Sequence, residues 1–229
     1  MKIYEITLSF TLNRDFFYKT YPEFISRNIN KILYNSTLFR YLHQSNSFKP
    51  YVLGSLTPIE KDKVYKSGKN YNLTIRSIDE SFVEEFRKIV TKAYNLDFVI
   101  TQLSVRNYKL GFIDKIYTIT PTILTVSRNR YWTMRDDLNI LMNNIAQNLQ
   151  KKYFEFFRKP IDLPTITYIE LTNKTPIVFE YKKGKLFSNK FIIGFAEDDT
   201  SQKLAKLAFG VGILEKNPLG FGMVVKAKN

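Results

Sequence analysis

Cysteine is absent from the 229 residues and histidine occurs once. Disulfides, thiolate catalysis, sulfur-ligated zinc and His-cluster metal centres are thereby removed. No run approaches the roughly eighteen uncharged apolar residues that a membrane span requires. The N-terminal MKIYEITLSF alternates like a strand and lacks the apolar core and small-residue cleavage site of a signal peptide, so a cytoplasmic protein is expected. Carboxylates are the other shortage: 35 Lys and Arg face 21 Asp and Glu, a formal net charge of +14 with pI near 9.7. Genomic composition bias explains abundant lysine but not the missing acids. A polyanion is the expected partner, held with an affinity that falls steeply with salt. No basic amphipathic helix favours a membrane surface instead.

An apolar fraction of 44% indicates a globular chain. Its length suits one large domain or two small ones. Residues 2–11 alternate as a half-buried strand, Phe24, Ile25, Ile29, Ile32 and Leu33 recur at helical spacing, and Asn35-Ser36-Thr37 interrupts before a short helical piece that ends near His43. Strands are expected at 50–56, 71–75 and 97–105, with a helix opened by a Ser77-to-Glu80 capping box between the last two. This order is the ferredoxin-like βαββαβ pattern. The second half repeats it: strands at 115–119 and 121–126, then a helix from about Thr133 with Thr133 and Asp136 as capping pair and a stripe of Leu138, Leu141, Met142, Ile145 and Leu149. Strands at 166–171, 177–181 and 185–195 follow, then a short helix from Asp198 and a terminal strand. The expected class is α+β, two tandem ferredoxin-like domains spanning 1–110 and 111–229; one larger mixed sheet is the alternative.

The C-terminal stretch FGVGILEKNPLGFGMVVKAK places four of the nine glycines, Gly210, Gly212, Gly220 and Gly222, around a polar Glu215-Lys216-Asn217-Pro218 turn. Glycine permits φ > 0 and close backbone approach. The segment is suited to presenting bare N–H groups to phosphate beside Lys216, or simply to a hairpin whose glycines serve turn and packing needs. Its EKNPLGFGMV wording resembles the glycine-rich signature of the CRISPR-associated repeat-processing endoribonucleases, a branch of the RAMP superfamily. Two positions depart from that signature: Ile213 and Leu214 follow Gly212 where a further Gly-x-Gly pair usually stands, and Pro218 replaces a more usual serine.

The resemblance implies a RAMP-type fold with a C-terminal glycine-rich loop, and it gives His43 a role. Histidine is the side chain whose ordinary pKa lies near neutrality, about 6.5. In the family, the general acid/base histidine stands after the first helix, often in a triplet like Tyr41-Leu42-His43, with a lysine downstream that Lys49 matches. Where the family has a helical tyrosine this chain has Asn28; Tyr34 is the nearest substitute and is out of phase on a continuous helix. The implied catalytic set is therefore His43 and Lys49, with Tyr34 as a weak third member. The implied reaction is attack of a ribose 2′-OH on the adjacent phosphorus, needing no metal or cofactor and leaving a 2′,3′-cyclic phosphate and a 5′-OH.

The implied RNA contacts are Gly210, Gly212, Lys216, Asn217, Gly220 and Gly222. Arg128 and Arg130, in SRNRYWTMR with Arg135, join them on composition, since arginine interleaved with Tyr131 and Trp132 suits folded or single-stranded RNA, although a solvated loop has the same composition. Asp136-Asp137 and Asp198-Asp199 each fit a helix start better than a metal site. CRISPR repeat RNA is the implied partner, with room for other effector subunits or a homodimer. A non-catalytic subunit holding guide RNA, and a general single-strand RNA binder, would share the charge and the loop.

Overall fold

A computed structural model describes residues 1–44, 48–128 and 130–227, without the side chains of 41–44. In the first half the chain runs β1 (Ile3–Leu12), β2 (Phe16–Phe17), α1 (Tyr21–Leu33), α2 (Thr37–Gln44), β3 (Tyr51–Thr57), β4 (Val64–Tyr65), β5 (Asn70–Ser77), α3 (Glu80–Val90) and β6 (Phe98–Tyr108). The second half runs β7 (Lys115–Thr118), β8 (Thr125–Ser127), β9 (Arg130–Tyr131), α4 (Leu138–Phe157), β10 (Ile166–Leu171), β11 (Ile177–Tyr181), β12 (Gly184–Ser188), β13 (Phe191–Phe195), α5 (Asp199–Val211) and β14 (Val224–Lys226).

Two four-stranded antiparallel sheets result, ordered β3-β5-β1-β6 and β10-β13-β7-β14. In each, the first principal strand lies between the third and the fourth, which is the ferredoxin-like order, so the fold is a tandem of two such units. The strand period explains the first core. Ile6, Leu8, Phe10 and Leu12 of β1 face α1 and α3 and are buried with Phe24, Ile25, Ile29, Phe82 and Phe86. The second core gathers Ile116, Ile193 and Phe191 under Leu141, Ile145 and Leu149 of α4 and Leu204 and Leu207 of α5. Ile3 and Ile78 belong to this second core although they lie in the first half of the chain.

Across the junction, Glu5 on β1 is buried and pairs with Arg76 at 2.7 Å and with Arg106 at 2.5 Å. Arg76 also donates to the Val224 carbonyl at 2.5 Å and lies over the Phe209 ring at 3.9 Å. A buried guanidinium from one sheet is thus satisfied by a strand and a helix of the other unit. Among the described residues no helix is long and apolar enough to cross a membrane.

Several boundaries differ from those expected. Helix α3 is capped by Asp79, which accepts from the Ser81 and Phe82 amides, while the Ser77 hydroxyl donates to the Pro50 carbonyl. Helix α4 begins later than Thr133: Asp137 is its cap, and Thr133 with Asp136 forms a hydrogen-bonded turn ahead of it. Leu138 is accordingly exposed at the helix start. The stretch expected as one strand at 185–195 changes partner at Asn189, giving a hairpin strand and then a sheet strand. Residues 121–126 make a short strand and isolated bridges rather than a full strand.

Candidate functional site

Helix α5 continues through Gly210 to Val211, so the glycine-rich segment is not a hairpin. Gly210 lies inside the helix, where a Cβ would stand 2.6 Å from Ile78 Cγ2; its smallness serves the junction between the units, and it is removed from the loop surface. The loop begins at Gly212 and runs to Met223. Gly212, Gly220 and Gly222 all have positive φ, and a Cβ on Gly222 would stand 2.2 Å from the Ile213 carbonyl oxygen. Gly220 sits against the Tyr21 ring at the start of α1.

The loop is closed on itself by Asn217. This buried side chain donates to the Ile213 carbonyl at 3.0 Å and the Phe221 carbonyl at 2.9 Å, and its Oδ1 accepts from Lys152 Nζ at 2.7 Å. Asn217 is expected among the RNA contacts, and within the protein its amide group holds the loop together. The bare-amide picture is also narrowed, because the N–H groups of Gly212, Ile213, Glu215, Leu219, Gly220 and Gly222 bond within the protein. Lys216, in the left-handed conformation at φ 59°, is half-exposed at the tip. Glu215 ties this tip to β8 through the Thr125 amide at 2.7 Å and hydroxyl at 2.9 Å.

Lys152 is the group that sequence reasoning missed. It continues the α4 stripe of Leu141, Ile145 and Leu149, yet it ends in an ammonium buried beneath the loop, donating to the Gly212 carbonyl at 2.9 Å, the Leu214 carbonyl at 3.1 Å and Asn217. Burial pushes this amine down from its usual 10.5 to about 7. A lysine prolonging an apolar stripe by three residues was the available signal.

The loop, α4 and the segment after α2 enclose a cleft of about 280 Å³ lined by Lys49, Asn148, Lys151, Lys152, Lys216 and Pro218, together with Phe48, Glu155, Leu214 and Asn217. Lys49 is half-buried here, and desolvation lowers its pKa. The Phe48 amide donates to Glu155 Oε2 at 3.0 Å, which fastens this segment to α4. The buried Asn148 Oδ1 has no hydrogen-bond partner among the described residues. Lys49, Lys216 and Asn217, expected from distant parts of the sequence, thus meet in one basic cleft.

The family model described as CRISPR associated protein Cas6, C-terminal, matches residues 109–225, just over half of the chain. The chain belongs to the Cas6 family. A search of curated proteins finds no match. Among solved structures, "CRISPR associated protein Cas6" aligns with a TM-score of 0.70 at 20% identity, covering 99% of this chain and all of that one. "An RAMP protein binding different RNA substrates" aligns at 0.75 and 18% identity, covering 98% of this chain and 100% of the other. A Cas6-related gene product from Pyrococcus furiosus aligns at 0.70 and 18%, covering 100% and 98%. At these identities the structural likeness concerns the fold.

The other expected site residues are placed as follows. His43 lies in the last turn of α2, five residues before Phe48, and its side chain lies outside the described residues. Tyr34 caps the C-terminus of α1 and borders a separate depression with Lys31, Asn35, Tyr94 and Asn95, so the structure does not gather it with Lys49. Asn28, at the position where the family carries tyrosine, is buried: it donates to Asp97 Oδ2 at 2.9 Å and accepts from the Asp97 amide at 2.9 Å, joining α1 to the start of β6. Arg128, directly after β8, and Arg130, at the start of β9, are exposed, and Arg130 pairs with Asp136 at 2.5 Å. Among the described residues no three His, Cys, Asp or Glu side chains form a metal-binding group.

Proposed function

We propose that the protein is a metal-independent endoribonuclease that binds CRISPR repeat RNA and cuts the precursor transcript. The observation that carries this reading is the meeting of Lys49 with the Lys216-bearing loop in one basic cleft, at the end of the segment that follows His43, in a chain of the Cas6 family. The ribose 2′-OH attacks the adjacent phosphorus. His43 takes the proton from that hydroxyl or gives one to the departing 5′-oxygen, and Lys49 offsets charge on the phosphorane. The nucleophile belongs to the substrate, so the reaction requires no metal-activated water. A 2′,3′-cyclic phosphate and a 5′-OH result.

Residues 1–110 supply the acid/base and residues 111–229 the glycine-rich loop, with Arg128, Arg130 and the exposed lysines extending the basic track. CRISPR repeat RNA is the partner, cytoplasm the place of action, and other CRISPR effector proteins or a second copy the candidates for assembly. A non-catalytic, guide-holding subunit is the second reading. The same basic cleft and loop support it, because neither feature requires a cut.

Purified wild type, His43→Ala and Lys49→Ala are incubated with labelled repeat RNA in EDTA, beside a substrate carrying a 2′-deoxy residue at the scissile position. One cut by wild type, blocked by the deoxy sugar and slowed about 10²–10⁴-fold by His43→Ala, is the expected result. Tight binding without a cut would leave the guide-holding subunit as the function.

A further inference from the structure

The two halves of the cleft come from opposite ends of the chain, and one helix face touches both. From α4, Lys152 Nζ reaches three oxygens of the glycine-rich loop at 2.7 to 3.1 Å, and Glu155, three residues on and therefore on the same side, accepts from the Phe48 amide at 3.0 Å. Phe48 immediately precedes Lys49, and its ring packs against the second core. The three-residue spacing separates the two anchors by about 4.5 Å along the axis of a rigid helix. An apolar side chain at 152 would prolong the stripe without the cost of burying an amine, whereas an ammonium is tolerated there because three oxygens meet its three donors.

We infer that Lys152 and Glu155 are positioning residues: Lys152 holds the glycine-rich loop, Glu155 holds the segment bearing Lys49, and α4 thereby sets the separation of the two sides across which RNA is cut. This inference rests on the endoribonuclease reading for its functional consequence, but not for its structural one. Neither residue transfers a proton or touches phosphorus. Each acts through the backbone it holds, and a displacement of about 1 Å at a reacting group is enough to cost on the order of 100-fold in rate.

The test compares full-length wild type, Lys152→Met, Glu155→Ala and Glu155→Gln by amide hydrogen exchange without RNA and by single-turnover cleavage of repeat RNA. Glu155→Ala is expected to speed exchange at Phe48 about tenfold or more. It should also slow the cutting step about 100-fold with RNA affinity within about threefold. Glu155→Gln, which keeps the acceptor oxygen, is expected to restore both. Lys152→Met is expected to expose the Ile213, Gly220 and Gly222 amides while the β1 and β5 amides keep their protection, and to weaken RNA binding. Wild-type protection at these positions in both Glu155→Ala and Lys152→Met would overturn the inference, as would lost protection with an unchanged cutting rate. Should Lys152→Met fail to fold, the Glu155 pair alone decides. If wild type binds but does not cut repeat RNA, the enzymatic reading fails, and the exchange data still decide whether α4 holds the two sides.

Discussion

Replacing Glu5 by glutamine tests the junction that keeps the two halves of the cleft in register. Glu5 and Arg76 side chains are 3% and 5% exposed, whereas Arg106 is 66% exposed. Glutamine preserves shape and one acceptor but removes the charge that two guanidinium groups share. Arg106 turns to solvent at little cost. Arg76 cannot, since it is enclosed between β5, β14 and Phe209, and leaving it uncompensated costs about 3–5 kcal/mol. For a chain of this size that is a fall in Tm on the order of 10 °C. The control, Arg106→Ala, removes an exposed partner and is expected to cost about 0–1 kcal/mol. Chemical unfolding of both variants supplies the comparison, and Arg76→Met added to Glu5→Gln is expected to recover part of the loss because the buried charge is then gone. A Glu5→Gln cost of less than about 1 kcal/mol, equal to that of Arg106→Ala, would refute the reasoning. It would mean that the Val224 carbonyl and the Phe209 face satisfy Arg76 without a counter-ion.

Three further outcomes are expected. Because Lys152 is held near 7 in the fold and near 10.5 in the unfolded chain, the unfolded state binds more protons between those values, so stability rises with pH across that window. Wild type should gain roughly 2 kcal/mol on Lys152→Met between pH 7 and 9, and parallel stability profiles would contradict this. Gly222→Ala should destabilise by more than about 3 kcal/mol in thermal unfolding, since the new Cβ meets the Ile213 carbonyl oxygen at 2.2 Å, whereas Gly68→Ala, with similar φ but open space, should cost only about 1 kcal/mol of backbone strain. Lys216→Ala should weaken RNA binding and reduce the salt slope by about 1, leaving stability unchanged; Asn217→Ala should instead lower stability by roughly 2 kcal/mol, because the Lys152 ammonium and two carbonyls lose their partner.

Local periodicity carried most of the architecture. Ile6, Leu8, Phe10 and Leu12 alternate, and Phe82, Val83, Phe86, Ile89 and Val90 recur at helical spacing, because a buried face imposes its period on the chain. The element order that follows from these signals is the tandem ferredoxin-like fold. Capping was less legible, since several carboxylates and hydroxyls compete for each helix start: Asp79 and Asp137 won over Ser77 and Thr133 because their side chains face the first unpaired amides of α3 and α4. Likewise Asn189 ends one pairing and starts another, which a continuous β-forming stretch does not disclose.

The sequence by itself determined the charge, the two strand-helix units and the presence of a glycine-rich loop followed by a strand, because each is set by composition or by neighbours a few residues apart. Its resemblance to the repeat-processing family also brought His43 and Lys49 forward. Only the tertiary structure decided what the loop residues do. Gly210 became a packing contact against Ile78, Asn217 a brace inside the loop, and Lys152 its buried support. Only the fold brought Lys49 to the same cleft as Lys216. The physical reason is that burial and hydrogen-bond satisfaction are settled by partners many tens of residues away, as when the Lys152 ammonium meets Gly212, Leu214 and Asn217, and no local pattern encodes such a meeting.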